Sequence, residues 1–404
     1  MLHSCSWAQL WAFLLFSSCL SPSASWDMHI IDNTSSGADG TKLTDVNGDG
    51  FPEIVTGWEQ GNVARMYFNP GETKEHWDFI EVPALNVEDA LPIDLDQDGW
   101  VDMVTCSEGE YMRVSVHWGP TDSKAYTQSD KWHSQDFPVT IGKTRWMFAV
   151  PMQVDGKNGV DLILGSKDPH ATLGWLEAPA EPRKVANWIY HEISPASWVM
   201  SIFTLDIDKD GFLDVLISDR NGPHQGVKWF QNPGTTSEEL TEHWPSIPIG
   251  MTDADPLFLD VADGDDNGLL EMWVPNLREY FMYFEQGNAS GTEWQATKWP
   301  IPEIAGLIGK SAAIGDIDRD GLPDLVSTYD HATDKSGVLW SSYDSTRQEW
   351  THHDVSGLEG IKYDFATLID MDGDGDLDIL TSEEANNSKM GPGLGVIWYE
   401  NPLH

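Results

Sequence analysis

The sequence predicts an all-β protein, a seven-bladed propeller of four-stranded blades spanning residues 26–404 and closed by its N-terminal strand. Three observations lead there. A nine-residue acidic phrase recurs seven times, roughly every fifty to sixty residues. Short β-branched and aromatic runs, bounded by Gly, Pro, Asn and Asp, flank each copy. The ends of the chain complement one another: Trp26-Asp-Met-His-Ile-Ile31 reads as a fourth strand, whereas the last run, Val396 to Pro402, reads as a third. The first strand is therefore expected to complete the last blade.

Each unit divides into four pieces. An apolar run such as Ser201-Ile-Phe-Thr-Leu205 leads into the acidic phrase, and a second, such as Asp214-Val-Leu-Ile-Ser218, leaves it. A third is aromatic and often ends in Asn-Pro, as in Val227-Lys-Trp-Phe-Gln-Asn-Pro233 and Val396-Ile-Trp-Tyr-Glu-Asn-Pro402. The fourth alternates and is expected to open on Trp77, Trp132, Trp188, Trp244, Trp299 and Trp350. No stretch after residue 25 sustains the apolar period of a helix. Seven such units protect their strand edges by closing radially.

The phrases offer carboxylates or Asn at positions 1, 3, 5 and 9, with Gly at 6. That pattern suits a tight turn around Ca2+, which takes oxygen ligands, with Gly in the left-handed backbone that the reversal needs. The expected ligands are Asp45, Asn47, Asp49 and Glu53, then Asp94, Asp96, Asp98 and Asp102. Further on come Asp206, Asp208, Asp210 and Asp214, then Asp263, Asp265, Asn267 and Glu271. Asp316, Asp318, Asp320 and Asp324 follow, and Asp370, Asp372, Asp374 and Asp378 complete the series. The third phrase has Gln153 at position 1 and Lys157 at position 5, leaving only Asp155 and Asp161. Six Ca2+ sites are expected, with the Lys157 ammonium standing in for the cation in the third loop. An EF-hand needs Glu at position 12 and flanking helices. Thr56, Thr105, Ile217, Ser327 and Thr381 stand at that position, so this reading fails. Metal-free acidic turns would crowd four carboxylates against their mutual repulsion.

The 404 residues carry 66 acidic and 23 basic side chains, a formal charge of −43. Six Ca2+ would bring −43 only to −31, so the surface repels nucleic acid and anionic membrane. Residues 1–25 hold no charged side chain and an apolar run, Trp7 to Leu20, ending in the small residues Ser23-Ala24-Ser25. This is expected to be a signal peptide, giving a secreted, extracellular protein with no membrane span after cleavage. Cleavage removes Cys5 and Cys19 and leaves Cys106 alone, so metal rather than sulfur must staple the fold. Asn33, Asn288 and Asn386 begin Asn-x-Ser/Thr triplets.

The phrase Asp-x-Asp-x-Asp-Gly-x-x-Asp-Leu/Ile, followed by Gly-Val-x-Trp-Tyr-x-Asn-Pro, resembles the FG-GAP/VCBS repeat proteins, among them the integrin α-subunit head propeller. The resemblance covers nearly all of residues 26–404. It implies calcium in the loops between first and second strands. It implies little about function, because such propellers include adhesion modules, lectins and lyase scaffolds. The aromatic Asn-Pro strands also look like the propeller portion of aldos-2-ulose dehydratases.

If the acidic loops share one face, the opposite face carries the longer, less repetitive connections, and a ligand site is expected there. Those connections hold Arg145, Lys167, Arg220, Arg278, Lys310 and Lys362, together with His170. Trp58, Trp146 and Trp198 lie off the repeat and are candidates to stack on a sugar ring. The favoured reading is a secreted module binding a glycan, acidic ones included, or another cell-surface ligand. A lyase or dehydratase acting on a uronate or keto sugar is the alternative, with Arg220 and His224, or Tyr329 and His331, as catalytic candidates. Protein adhesion is the third. No Ser-His-Asp set, zinc motif, phosphate loop or dinucleotide fingerprint is present.

Overall fold

A computed structural model describes residues 26–403, apart from 72–75, 169, 236–237, 266, 278, 345 and 385–392. The expected signal peptide, Cys5, Cys19, Arg278 and Asn386 lie outside the described residues. The described chain forms seven four-stranded antiparallel sheets, one per blade. Blade one comprises Ala38–Thr44, Glu53–Trp58, Val63–Tyr67 and Phe79–Pro83. Blade seven comprises Thr367–Ile369, Asp378–Glu383, Gly395–Glu400 and, as its outer strand, Asp27–Asp32. Asp27 pairs with Glu400 and Ile30 with Ile397, so the expected closure is present.

The second strand of each blade sits between two neighbours and between adjacent blades. It is buried on both faces, which is why its sequence is a run rather than an alternation. Asp102–Ser107, Asp161–Lys167, Asp214–Asp219 and Asp378–Glu383 are buried along their whole length. Fourth strands are edges and alternate or face solvent, as Phe79–Pro83 does. At Gly165 an added Cβ would come within 2.7 Å of the Val199 side chain, so glycine lets blade four approach blade three. Tryptophans fill the neighbouring seam: Trp118, Trp146 and Trp188 pack with Phe137 and Leu164 between blades two and three. Cys106 is buried and free.

Two details depart from the sequence reading. Trp299 does not open the fourth strand of blade five; that strand is Trp294–Pro300, and Trp299 lies near its end. Trp294 takes the opening place, donating its indole N–H to the Gly291 carbonyl at 2.9 Å, as Trp132 does to Tyr126. Short helical turns also interrupt the β pattern, at Ser123–Tyr126, Ser129–Lys131, Val185–Asn187 and Glu238–Thr241. In blades two, three and four these turns cap the tryptophan, accepting its N–H on Tyr126, Pro182 and Leu240 or lying beside it.

Candidate metal loops and the charged mouth

All seven acidic phrases join the first strand of a blade to the second, and so share one face of the ring. Their shape is set by the position-1 carboxylate. Asp94 accepts N–H groups from Asp98 at 3.0 Å and Gly99 at 2.9 Å. Asp206 does the same for Asp210 and Gly211, and Asp316 for Asp320 and Gly321, all at 3.0 Å. The position-6 glycine has positive φ in each case, +91° at Gly99 and +94° at Gly211. In the third loop Asn158 occupies that place at +50°.

Position 9 has a second task. Asp102 accepts the Leu95 N–H at 3.2 Å and the Gly119 N–H at 2.8 Å, tying the loop to the end of the third strand. Asp161, Asp214 and Asp378 make the same pair of bonds, to Val154 and Ala178, Ile207 and Asn232, and Met371 and Asn401. This explains why the third loop retains an acid at position 9 after losing two other ligands. Burial, with the nearby carboxylates adding to it, pushes Asp102 up to about 8 and Asp214, Asp324 and Asp378 to about 7. Asp161, which has fewer acidic neighbours, rises only to about 6.

Among the sets of carboxylates whose oxygens converge within 4.8 Å are these from the acidic loops: Asp94, Asp96 and Asp102; Asp206, Asp208 and Asp210; and Asp263, Asp265 and Glu271. Such all-oxygen clusters are able to hold a hard cation. In the third loop the Lys157 ammonium lies 2.8 Å from Asp155, and Gln153 bonds to the backbone of Gly156, Lys157 and Gly159. Sequence reasoning missed the basic residues that join these loops. Arg183 grips Asp96 and lies 2.9 Å from Asp98, while Lys209 and Arg319 reach the carbonyls of Gly268 and Gly375 in the next blade.

On the opposite face the chain enters each first strand and leaves each second. In five blades the first strand is bulged near its start, at Asp39–Lys42, Val87–Asp89, Trp146–Phe148, Val199–Ser201 and Gly309–Ser311. A bulge of this kind bends its strand and re-aims a side chain. Arg145 pairs in register with Lys167, Lys167 bridges to Trp198, and the Arg220 N–H bonds the Trp198 carbonyl at 2.7 Å. Four of the expected ligand residues thus form one arc across blades three and four. Trp198 carries both cations against its ring, Lys167 at 4.7 Å and Arg220 at 4.5 Å.

Four lysines at this mouth are already paired. Lys167 contacts Glu88 at 2.9 Å and also Glu108; Lys310 meets Asp364 at 2.9 Å; Lys362 meets Glu384; and Lys42 meets Asp89 at 2.7 Å. Burial, opposed by Lys167 and reinforced by Glu108, pushes Glu88 up to about 7. Burial resists ionisation of Asp364, yet Lys310 and Lys362 hold it below the usual carboxylate range. Arg145 has a looser contact, 3.9 Å from Asp168. Arg220 is half-buried with no carboxylate in ion-pair reach among the described residues, its Nε is unbonded, and burial lowers its pKa.

The other candidates fall elsewhere. Trp58 and Trp146 are wholly buried strand residues, donating to the Tyr67 hydroxyl and the Thr140 carbonyl, and present no stacking face. Tyr329 is buried against Phe281 with its hydroxyl 3.0 Å from Ser327, while His331 is exposed beside Asp330, so this pair is not brought together. His224 is exposed, its N–H held by Ser197, and His170 is exposed as well.

A family model described as an FG-GAP-like repeat matches residues 316–381, from the sixth acidic loop through the seventh and into the second strand of the last blade. No curated protein matches the chain. A chain of the crystal structure of BBS1N in complex with ARL6DN, soaked with lead, has TM-score 0.53 and 11% identity, covering 93% of this chain and 97% of that one. Saccharomyces cerevisiae Sqt1 has TM-score 0.50 and 11% identity, covering 93% and 98%. At that identity the likeness is one of fold. No helix among the described residues is long and apolar enough to cross a membrane.

Proposed function

We propose that the chain is an exported, calcium-stabilised propeller that binds a carboxylate-bearing glycan at the blade three–four arc. The observation that carries this reading is Arg220: a half-buried guanidinium on Trp198, with no carboxylate in ion-pair reach among the described residues and only Asp255 acting on it from farther off, in a protein of charge −43. A buried cation left unpaired is costly, and a ligand carboxylate would relieve that cost with a charge-assisted, bidentate bond. Arg145 lies along the same arc to meet a second anionic group. On the other face Ca2+ bound by six loops would supply charge neutralisation, and Asp155 with Lys157 would need none.

Calorimetric titration of uronate oligosaccharides against their neutral parents tests this. Arg220→Gln is expected to weaken uronate binding by about tenfold or more and leave neutral-sugar binding unchanged. Equal affinity of charged and neutral sugars, or an indifferent Arg220→Gln variant, rejects the site. Unsaturated product absorbing in the ultraviolet would replace binding with lyase activity.

A further inference from the structure

The ring encloses a central channel of about 670 Å³, to which the first strands of all seven blades contribute. Its walls are apolar, with Leu43, Val150, Phe203, Ile314 and Leu368 among them; Phe148 and Phe258 meet edge to face, and Phe365 lies tilted against Phe258. A concave, largely apolar space of this size is the ordinary form of a small-molecule site. Two charged groups line it. Lys42 is spent, its ammonium bonded to Asp89 and the Ala149 carbonyl. Asp260 is different. Its oxygens accept the N–H groups of Val261 at 2.9 Å and Ile314 at 2.8 Å, but no cation is in ion-pair reach among the described residues. The channel therefore presents one uncompensated carboxylate in an apolar wall, and the acidic loops follow directly on the strands that form it.

We propose that the channel binds a hydrophobic amine, an alkyl or aryl ammonium whose charged head pairs with Asp260 while its apolar body displaces water from the walls. The charge and the lining each select one half of such a ligand. A neutral apolar molecule leaves Asp260 unpaired, and an anion meets both Asp260 and the field of the acidic loops. The site is separate from the Arg220 arc, and its occupancy does not depend on what that arc binds.

The test is titration of the calcium-loaded chain with n-octylammonium, n-octanol, octanoate and tetramethylammonium, followed by calorimetry. Octylammonium is expected to bind at one site per chain, about tenfold or more tighter than octanol, since a charged hydrogen bond is added to the same apolar contact. Octanoate, and tetramethylammonium with no apolar body, are expected not to bind at these concentrations. Asp260→Asn keeps an acceptor for the Ile314 N–H and is expected to bring octylammonium down to the level of octanol. Val150→Trp fills the channel and is expected to abolish both, while Arg220→Gln changes neither. Many weak octylammonium sites insensitive to both channel variants would mean association with the acidic surface and overturn the proposal. No binding of octylammonium, or equal binding of octanoate, overturns it as well.

Discussion

Replacing Asp161 with Ala separates the two roles of the acidic phrase. Asp161 is fully buried and accepts the Val154 and Ala178 N–H groups, both at 2.8 Å. Its loop holds an ammonium from Lys157 rather than a full set of oxygen ligands. Each buried donor left without an acceptor costs about 1–3 kcal/mol, so removing both predicts a loss of about 2–6 kcal/mol. Asp161→Asn keeps one acceptor oxygen and should lose roughly half as much. Urea unfolding followed by tryptophan fluorescence measures this, with the same samples run in Ca2+ and in chelator. The loss at Asp161 should be the same in both, because the bonds are backbone staples. Asp208→Asn in the fourth loop should instead lose stability only while Ca2+ is present. An Asp161→Ala loss below about 0.5 kcal/mol, or one that disappears on chelation, would refute the staple.

Chelation of the wild-type chain should lower the urea midpoint, and added Ca2+ should restore it, as expected for a ligand that binds only the folded state; an unchanged midpoint rejects the calcium reading. His117 is buried between Thr105 and Ser134, and burial, only partly opposed by Asp136, lowers it to about 4. The neutral ring is the form the fold accepts, so its contribution is complete above pH 6.5 and falls as pH drops toward 4. The worked loss between pH 7 and pH 5 is about 2 kcal/mol. His117→Gln should flatten stability over that interval by a similar amount, and a wild-type chain with level stability from pH 7 to 5 contradicts the assignment. Trp146→Ala empties a fully buried site and should cost about 3–5 kcal/mol by urea unfolding. Trp198→Ala should cost less stability and instead weaken uronate binding through Arg220; the reverse ranking would show that Trp198 is the structural one.

What was legible in the sequence was whatever repeats. Seven copies of one loop fixed the blade count, and the mismatched ends at Ile31 and Pro402 fixed the closure, since a strand without a partner at one end matches a gap at the other. Trp299 misled because two tryptophans, Trp294 and Trp299, fall within one strand, and spacing alone does not say which carries the carbonyl-capped indole. The mouth was harder. Lys167, Lys310 and Lys362 stand out in an acidic chain, but the acids that pair with them, Glu88, Glu108, Asp364 and Glu384, are four among 66 and lie far away in sequence. Stacking of consecutive blades brings blade two beside blade three and blade six beside blade seven, and strand pairing within blade seven brings Lys362 to Glu384. The resulting ion pairs neutralise much of a basic-looking rim, so that what distinguishes Arg220 is that no carboxylate among the described residues lies in ion-pair reach of it. Composition shows how many charges a chain has; the closed topology decides which of them remain available to a ligand.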